Sequence, residues 1–136
     1  MNRDALKLLA GQKQAKKKKG NKYGNKKVTV SGVTYDSKGE YQRECALKIQ
    51  EKSGIIKNLK RQVRFSFIHN NVKICDYIAD WAYTIVETGT PVIEDWKGFE
   101  TDMFKLKSKM MKAFYGIDVW ANKNVNAHCA IEYPFK

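Results

Sequence analysis

A regular pattern of apolar and polar residues begins at position 28. Two short alternating segments come first, and a segment whose apolar residues have helical spacing follows them. Residues 28–30 and 33–35 alternate around Ser31-Gly32, which predicts a small β-hairpin. Residues 37–40 then have the S-x-x-E spacing of a capping box. The helix predicted from this start runs to about Ser53, directly before a glycine that acts as a stop signal.

Apolar residues in this helix recur at intervals of four positions. This spacing predicts a buried stripe made of Tyr41, Cys45 and Ile49. After the helix, residues 55–59 favour an edge strand.

Three β-strands are predicted next. Val63, Phe65 and Phe67 alternate with polar residues, which is typical of a strand with one apolar face. Asn70-Asn71 predicts a turn, and the longest strand then runs from Ile74 to Val86. Gly89-Thr90-Pro91 closes that segment, and a third strand covers residues 92–97.

A second helix and a last strand complete the pattern. Residues 101–115 carry apolar side chains at intervals of three or four positions, namely Met103, Leu106, Met110 and Ala113. Gly116 is the stop signal of this helix, and residues 117–120 read as a strand. The order of hairpin, helix, three strands, helix and strand predicts an α/β fold with a mixed sheet flanked by helices.

Candidate chemistry appears on two of the predicted strands. Side chains alternate between the faces of a strand, so Asp95 and Lys97 project to the same side. Asp80 interrupts an otherwise apolar strand, sharing one face with Ile78 and Ala82, while Tyr77, Ala79, Trp81 and Tyr83 share the other. An unpaired buried carboxylate is costly. If the two strands are neighbours, two carboxylates and one ammonium converge, an arrangement suited to a divalent cation and a phosphate.

Several acidic residues compete for the same role. Glu40 is either a metal ligand or only the acidic half of the capping box, and Glu44, one turn further on, is the substitute. Asp76 shares the predicted face of Asp80 but lies nearer the start of the strand. Glu94 points away from Asp95 in a regular strand, and a β-bulge would reverse that choice.

The charge of the chain is unevenly placed. The formal net charge is +12 over 136 residues, and residues 1–27 contribute ten Lys or Arg against one Asp, a net +9. We expect residues 1–27 to form a basic flexible tail, with Gln12 to Lys27 too poor in apolar residues to fold. It is either a solubilising segment or a non-specific grip on phosphates, whose core is Lys16-Lys17-Lys18-Lys19. Residues 28–136 would then form a single domain.

Compartment and redox state follow from what the sequence lacks. The three cysteines have no paired spacing, so a disulfide framework is not expected. The cysteines and the two histidines also lack a metal-ligand spacing, so a zinc site is not expected. No segment approaches the roughly 18–20 apolar residues of a membrane span. A cytoplasmic location is expected.

Four sequence blocks carry a resemblance to known nucleases. Glu40, Asp80 and Asp95-Trp96-Lys97 resemble the signature of the restriction-endonuclease-like superfamily: an upstream Glu, an Asp, then Asp or Glu, any residue and Lys. More narrowly, the chain is similar over residues 28–120 to a small family of phage-borne nucleases described as Holliday junction resolvases. The blocks are Ser37-Lys38-Gly39-Glu40, Tyr77-Ile78-Ala79-Asp80-Trp81, Glu94-Asp95-Trp96-Lys97-Gly98 and Phe104-Lys105-Leu106-Lys107.

The resemblance implies a restriction-endonuclease-like fold and a DNA endonuclease that resolves Holliday junctions or other branched DNA. It implies that Glu40, Asp80 and Asp95 hold Mg²⁺, with Mn²⁺ as a substitute, that Lys97 is catalytic, and that products carry 5′-phosphate and 3′-hydroxyl ends. Two symmetric incisions imply a homodimer. The alternatives are a nicking enzyme or exonuclease on simpler DNA, and a non-catalytic DNA-binding protein of the same fold.

Basic and polar residues outside the constellation are candidates for DNA contact. Besides the lysine run of the tail, the candidates are Arg61, Gln62, Arg64, Lys105, Lys109 and Lys112. Lys60 lies beside Arg61, Gln62 and Arg64 near the start of the same predicted strand. For the three lysines of the second helix, a solvated helix face explains the spacing equally well.

Overall fold

The computed structural model describes residues 26–128, which fall into two compact units divided between Ser37 and Lys38. The first unit contains an antiparallel hairpin of β1 (Val28–Val30) and β2 (Val33–Tyr35). Its turn residues Ser31 and Gly32 have φ angles of 50° and 78°, the left-handed conformation that a two-residue hairpin turn requires. The predicted hairpin is therefore confirmed.

The described part of the second unit, residues 38–128, holds two helices and one four-stranded sheet. Its elements in chain order are α1 (Lys38–Lys52), β3 (Ile56–His69), β4 (Val72–Ile85), β5 (Pro91–Trp96), α2 (Asp102–Tyr115) and β6 (Val119–Asn122). The strands lie in the order β3-β4-β5-β6, with β6 parallel to β5 and the other pairs antiparallel. The fold is thus mixed α/β with a mixed sheet flanked by helices, as the pattern predicts.

Strands β3 and β4 form a long hairpin. Asn70 and Asn71 have φ angles of 48° and 61°, so the predicted turn is confirmed. The predicted edge segment and the following strand are one continuous strand, β3, which pairs with β4 from His69–Val72 to Ile56–Ile85. The pairing shifts register between Lys57 and Lys60.

The two helices cap two separate apolar clusters of the sheet. The first, here called the α1 cluster, consists of Leu47, Ile56, Trp81, Tyr83, Ile85, Val92, Trp120 and Ala127. The second, the α2 cluster, consists of Phe67, Tyr77, Ala79, Ile93, Phe104 and Met111. Within residues 26–128, no helix is both long and apolar enough to cross a membrane.

Strand β4 changes its packing at Asp80. Trp81 and Tyr83 lie in the α1 cluster, whereas Tyr77 and Ala79, which share their alternation phase, lie in the α2 cluster. The expectation that these four side chains share one face is therefore wrong. Simple alternation requires a regular pleat. The β3–β4 hairpin departs from a regular pleat at the position opposite Asp80.

Helix α1 buries a polar face. Leu47 is its one fully apolar buried residue, and the others are Glu40, Arg43 and Glu44. Ile49, which the four-residue spacing places in the buried stripe, is 64% exposed. The apolar spacing misleads because this helix docks through charged side chains that find partners on the sheet.

Helix α2 begins and ends where the sequence predicts but is rotated relative to its expected stripe. Thr101 caps the N-terminus by accepting a hydrogen bond from the Phe104 backbone N–H, and Gly116 ends the helix at φ 69°. Phe104 and Met111 are buried, whereas Met103 and Leu106 are 60% and 53% exposed. The predicted stripe is wrong for Met103 and Leu106, and also for Ala113, which is exposed.

Candidate active site

Two carboxylates from neighbouring strands meet at the centre of the sheet. Strands β4 and β5 pair with Trp81 opposite Glu94, which brings Asp80 beside Asp95. The Asp80 and Asp95 carboxyl groups are close enough to interact directly. The Trp96 backbone N–H donates to Asp80 Oδ2 over 2.8 Å. Asp95 is 2% exposed. The predicted convergence of the two acids is present.

This pair retains a proton near neutral pH. Burial raises the pKa of Asp80 to about 8, and the hydrogen bond and negative charge of Asp95 act in the same direction. The Trp96 N–H and the Lys97 charge oppose the rise in pKa. A buried and a partly buried carboxylate without a cation therefore share one proton, because both cannot be ionised cheaply side by side.

Two further side chains hold Asp95. Lys97 Nζ lies 3.4 Å from Asp95 Oδ2 and 4.9 Å from the centre of the Phe104 ring. The Tyr77 hydroxyl donates to the same Asp95 oxygen over 2.7 Å. Burial, with the nearby Asp95 charge, raises the pKa of Tyr77 above its ordinary value, so the phenol stays protonated and continues to donate.

Gln62 lies across from Asp80 in the strand hairpin. Arg61 pairs with Trp81 and Val63 with Ala79, so the position between them faces Asp80. Gln62 has a φ of 54° and its Nε2 donates to Asp80 Oδ1 over 3.2 Å. A left-handed residue in a strand bends the pleat, which accounts for the change of packing at Asp80. Gln62 therefore contacts the Asp80 carboxylate, and its contact with DNA stays a prediction.

A second acidic pair lies on α1 and is bridged by arginine. Arg61 Nη2 lies 3.5 Å from Glu40 Oε1, and Arg61 Nε lies 3.0 Å from Glu44 Oε1. The Trp81 indole N–H also donates to Glu44, over 3.3 Å. Both glutamates are 4% exposed, so their charges need this partner.

Glu40 does not complete a three-carboxylate cluster in this structure. Across residues 26–128 no group of three His, Cys, Asp or Glu side chains is close enough to hold a metal ion. Asp80, Asp95 and Lys97 are brought together, and Glu40 lies with Arg61. The metal-ligand role of Glu40 stays a prediction.

The two competing acids have other partners. Asp76 accepts from Arg64 and Ser66 and pairs with Lys73, each over 2.7 Å, and the hydrogen bond from Lys73, with that from Ser66, holds the pKa of Asp76 well below its usual range. Asp76 therefore belongs to a surface cluster on the hairpin.

Glu94 faces away from Asp95, as alternation predicts, and is fully buried beneath α1. Arg43 donates to both of its carboxylate oxygens, over 2.6 and 3.2 Å, and Tyr83 and Asn122 donate over 2.5 and 2.9 Å. Arg43 Nη1 also donates to the carbonyls of Val125 and Ala127. This network connects α1 to the sheet and to the chain beyond β6. No periodicity in the sequence predicts it.

The predicted DNA contacts divide into several groups. Arg61 is engaged by the α1 glutamates, Arg64 by Asp76, and Lys112 by Asp118 over 2.9 Å. Lys109 is exposed on α2, and Lys105 lines a pocket next to Lys97. The lysine run 16–19 lies outside the described residues. Cys45 and Cys75 are free thiols, and Cys129 lies outside the described residues.

The chemistry of the Asp80–Asp95 pair fits a hard divalent cation. Carboxylate oxygens are the ligands that Mg²⁺ prefers, and the cation would replace the proton that the pair now shares. Lys97 and the Trp96 N–H supply positive charge at the same place, which suits an anionic substrate.

A stability measurement tests this reading of the pair. Because the folded pKa of Asp80 is above its ordinary value of 3.8, the folded state binds a proton that the unfolded state has lost, and stability falls as pH rises from about 4 to about 8. Mg²⁺ should raise the thermal midpoint by several degrees, more at pH 8.5 than at pH 6. Asp80→Asn should raise the metal-free midpoint at pH 8.5 and remove most of the Mg²⁺ effect.

Asp76→Asn is the matched control, since its carboxylate has a lowered pKa and lies in another cluster. An Mg²⁺ shift that is independent of pH, or equal in Asp80→Asn and the parent protein, would contradict this account of the pair.

The chain belongs to the family described as "Protein of unknown function (DUF1064)", whose match covers residues 20–128. This range includes both carboxylates, the lysine and both helices. Searches of curated proteins and of solved structures gave no match.

Proposed function

We propose that the chain is a divalent-metal-dependent nuclease of restriction-endonuclease-like type that hydrolyses phosphodiester bonds in DNA. One observation carries the proposal: Asp80, Asp95 and Lys97 converge from two adjacent strands onto one place on the sheet. Paired carboxylates with a neighbouring ammonium match the needs of phosphate hydrolysis, in which a metal is held and new negative charge is offset.

Each side chain has a distinct part in this proposal. Asp80 and Asp95 would hold the ion, and Mg²⁺ or Mn²⁺, when bound, supplies Lewis-acid activation of water and of the phosphate. Lys97 offsets charge on the phosphate or positions the attacking water. Tyr77 fixes the orientation of Asp95, and Gln62 that of Asp80. Glu40 would complete the ion's shell after rearrangement of its contact with Arg61, directly or through water.

Branched DNA is the proposed substrate class, with the Holliday junction as the leading example. This choice of substrate is supported by the resemblance of the four sequence blocks to phage-borne nucleases described as Holliday junction resolvases. A resolvase makes two symmetric incisions, so the active form would be a homodimer with one Asp80–Asp95 site in each subunit.

Cleavage of matched DNA substrates tests the proposed function. With four-way junction, flap, nicked and linear duplexes of the same sequence, we expect Mg²⁺-dependent cutting that is at least about tenfold faster on the junction, a difference of 1.4 kcal/mol in barrier. EDTA should abolish cutting. Equal rates on all substrates would defeat the resolvase assignment and favour a general nuclease. Tight DNA binding without cutting in Mg²⁺ or Mn²⁺ would favour the non-catalytic alternative.

A further inference from the structure

A basic pocket lies directly beside the Asp80–Asp95 site. It has a volume of about 320 Å³ and is formed by the loop after β5, by α2, by β6 and by the residue that follows β6. Its lining includes Lys97, Phe99, Glu100, Lys105, Ala121 and Lys123. The volume is at the lower end of the range for small-ligand sites, which suits one nucleotide unit.

The charge of this pocket favours an anion. Three lysines line it against one acid, Glu100. Lys97 also faces Asp95, but no carboxylate of residues 26–128 forms an ion pair with Lys105 or Lys123. Lysine ammonium groups bind phosphate as point charges, so the two outer lysines are suited to one phosphate group.

Phe99 gives the pocket an exposed aromatic surface. Its side chain is 64% exposed although it lies two residues after the catalytic lysine candidate. A single exposed apolar residue is ordinary on a protein surface. An aromatic ring that lines a nucleotide-sized basic pocket is different, because unpaired bases stack on such rings in proteins that bind single-stranded nucleic acid.

We propose that this pocket binds one unpaired nucleotide adjacent to the bond that is cut, with Lys105 and Lys123 on its phosphate and Phe99 stacked on its base. The proposal rests on the proposed nuclease function and narrows the substrate to DNA with an unpaired or unstacked nucleotide near the cutting site. A base inside a regular duplex is stacked on both sides and cannot reach Phe99 without being extruded.

Fluorescence of 2-aminopurine tests the stacking contact without cleavage. The full 136-residue chain is titrated in EDTA into a duplex with a single unpaired 2-aminopurine nucleotide. We expect quenching on binding, retained in Phe99→Trp and lost in Phe99→Ala, whose affinity should fall about 5- to 150-fold, as for one stacked base. Ile49→Ala, which removes an apolar side chain that is also 64% exposed, should leave both readouts unchanged.

Salt dependence tests the lysines. Replacing Lys105 and Lys123 by Ala should reduce the slope of log affinity against log salt by about 0.7 for a single-stranded oligonucleotide, since both lysines contact one phosphate and each phosphate contact contributes about 0.7. Lys48→Ala with Lys52→Ala removes the same charge from α1 and should change the slope much less.

The outcomes separate this inference from the nuclease proposal. Three results would overturn the pocket assignment. They are quenching that persists in Phe99→Ala, losses of affinity or salt slope that are as large in the matched controls as in the pocket variants, and no binding of DNA by the parent protein. Stacking and lysine effects in EDTA without any cutting in Mg²⁺ would leave the pocket standing and refute the nuclease. Cutting in Mg²⁺ without stacking would do the reverse.

Discussion

Asp95→Asn should reduce DNA cleavage in Mg²⁺ by at least about 10²- to 10³-fold, the scale on which removal of one preorganised electrostatic group slows a reaction. The amide is nearly isosteric with the carboxylate but carries no charge for a cation. Because its remaining oxygen can still accept from Tyr77, we expect the fold to survive. Binding of uncut DNA in Ca²⁺ should stay within about twofold of the parent protein, less than 0.5 kcal/mol.

Asp118→Asn provides the matched control for this experiment. Asp118 is half exposed and pairs with Lys112 on the surface, so its loss removes one negative charge without touching the site. Cleavage by Asp118→Asn should match that of the parent protein. Undiminished cleavage by Asp95→Asn would remove the site assignment.

Arg43→Met should destabilise the protein by about 3–5 kcal/mol, the usual cost of leaving one member of a buried ion pair uncompensated. Glu94 would keep its hydrogen bonds from Tyr83 and Asn122 but lose its counter-charge in a site with no solvent exposure. The Val125 and Ala127 carbonyls would also lose the hydrogen bonds from Arg43, although Gln50 still donates to Ala127. Equilibrium unfolding in urea measures the change.

Lys112→Met is the control for this loss of stability, because it breaks an ion pair whose side chains are 59% and 50% exposed. Such surface pairs contribute about 0–1 kcal/mol. A change of less than about 1 kcal/mol in Arg43→Met would show that the buried network does not hold α1 on the sheet.

The elements of this fold could be predicted from local patterns. Glycine and asparagine positions with positive φ, such as Asn71 and Gly116, coincide with predicted turns and stops. Alternation predicts correctly that Asp95 and Lys97 share a side and that Glu94 faces away from them. These features depend on neighbours in sequence, which is why they are visible there.

The buried faces could not be predicted in the same way. Helix α1 packs through Glu40, Arg43 and Glu44, and a search for apolar spacing selects exposed Ile49 instead. Whether a charged residue is buried depends on its partner, and the partner of Arg43 lies 51 residues away. The sequence offers no local signal for such a pairing.

The candidate site also combines features that local sequence predicts with features that depend on residues from other strands. Asp80 and Asp95 are predictable from their strands, but the bend opposite Asp80 comes from the left-handed Gln62 on another strand. Tyr77 belongs by alternation to the face of Trp81, yet its hydroxyl reaches Asp95. Strict alternation fails at the point where the two carboxylates meet.

Crystals soaked in Mn²⁺ give the most direct test of the central idea that Asp80 and Asp95 form a metal-dependent phosphodiesterase centre. Anomalous scattering should show an ion coordinated by oxygens of both carboxylates, and Asp80→Asn crystals should lack it. An ion bound elsewhere, or none between these side chains at millimolar Mn²⁺ and pH 8.5, would contradict the account.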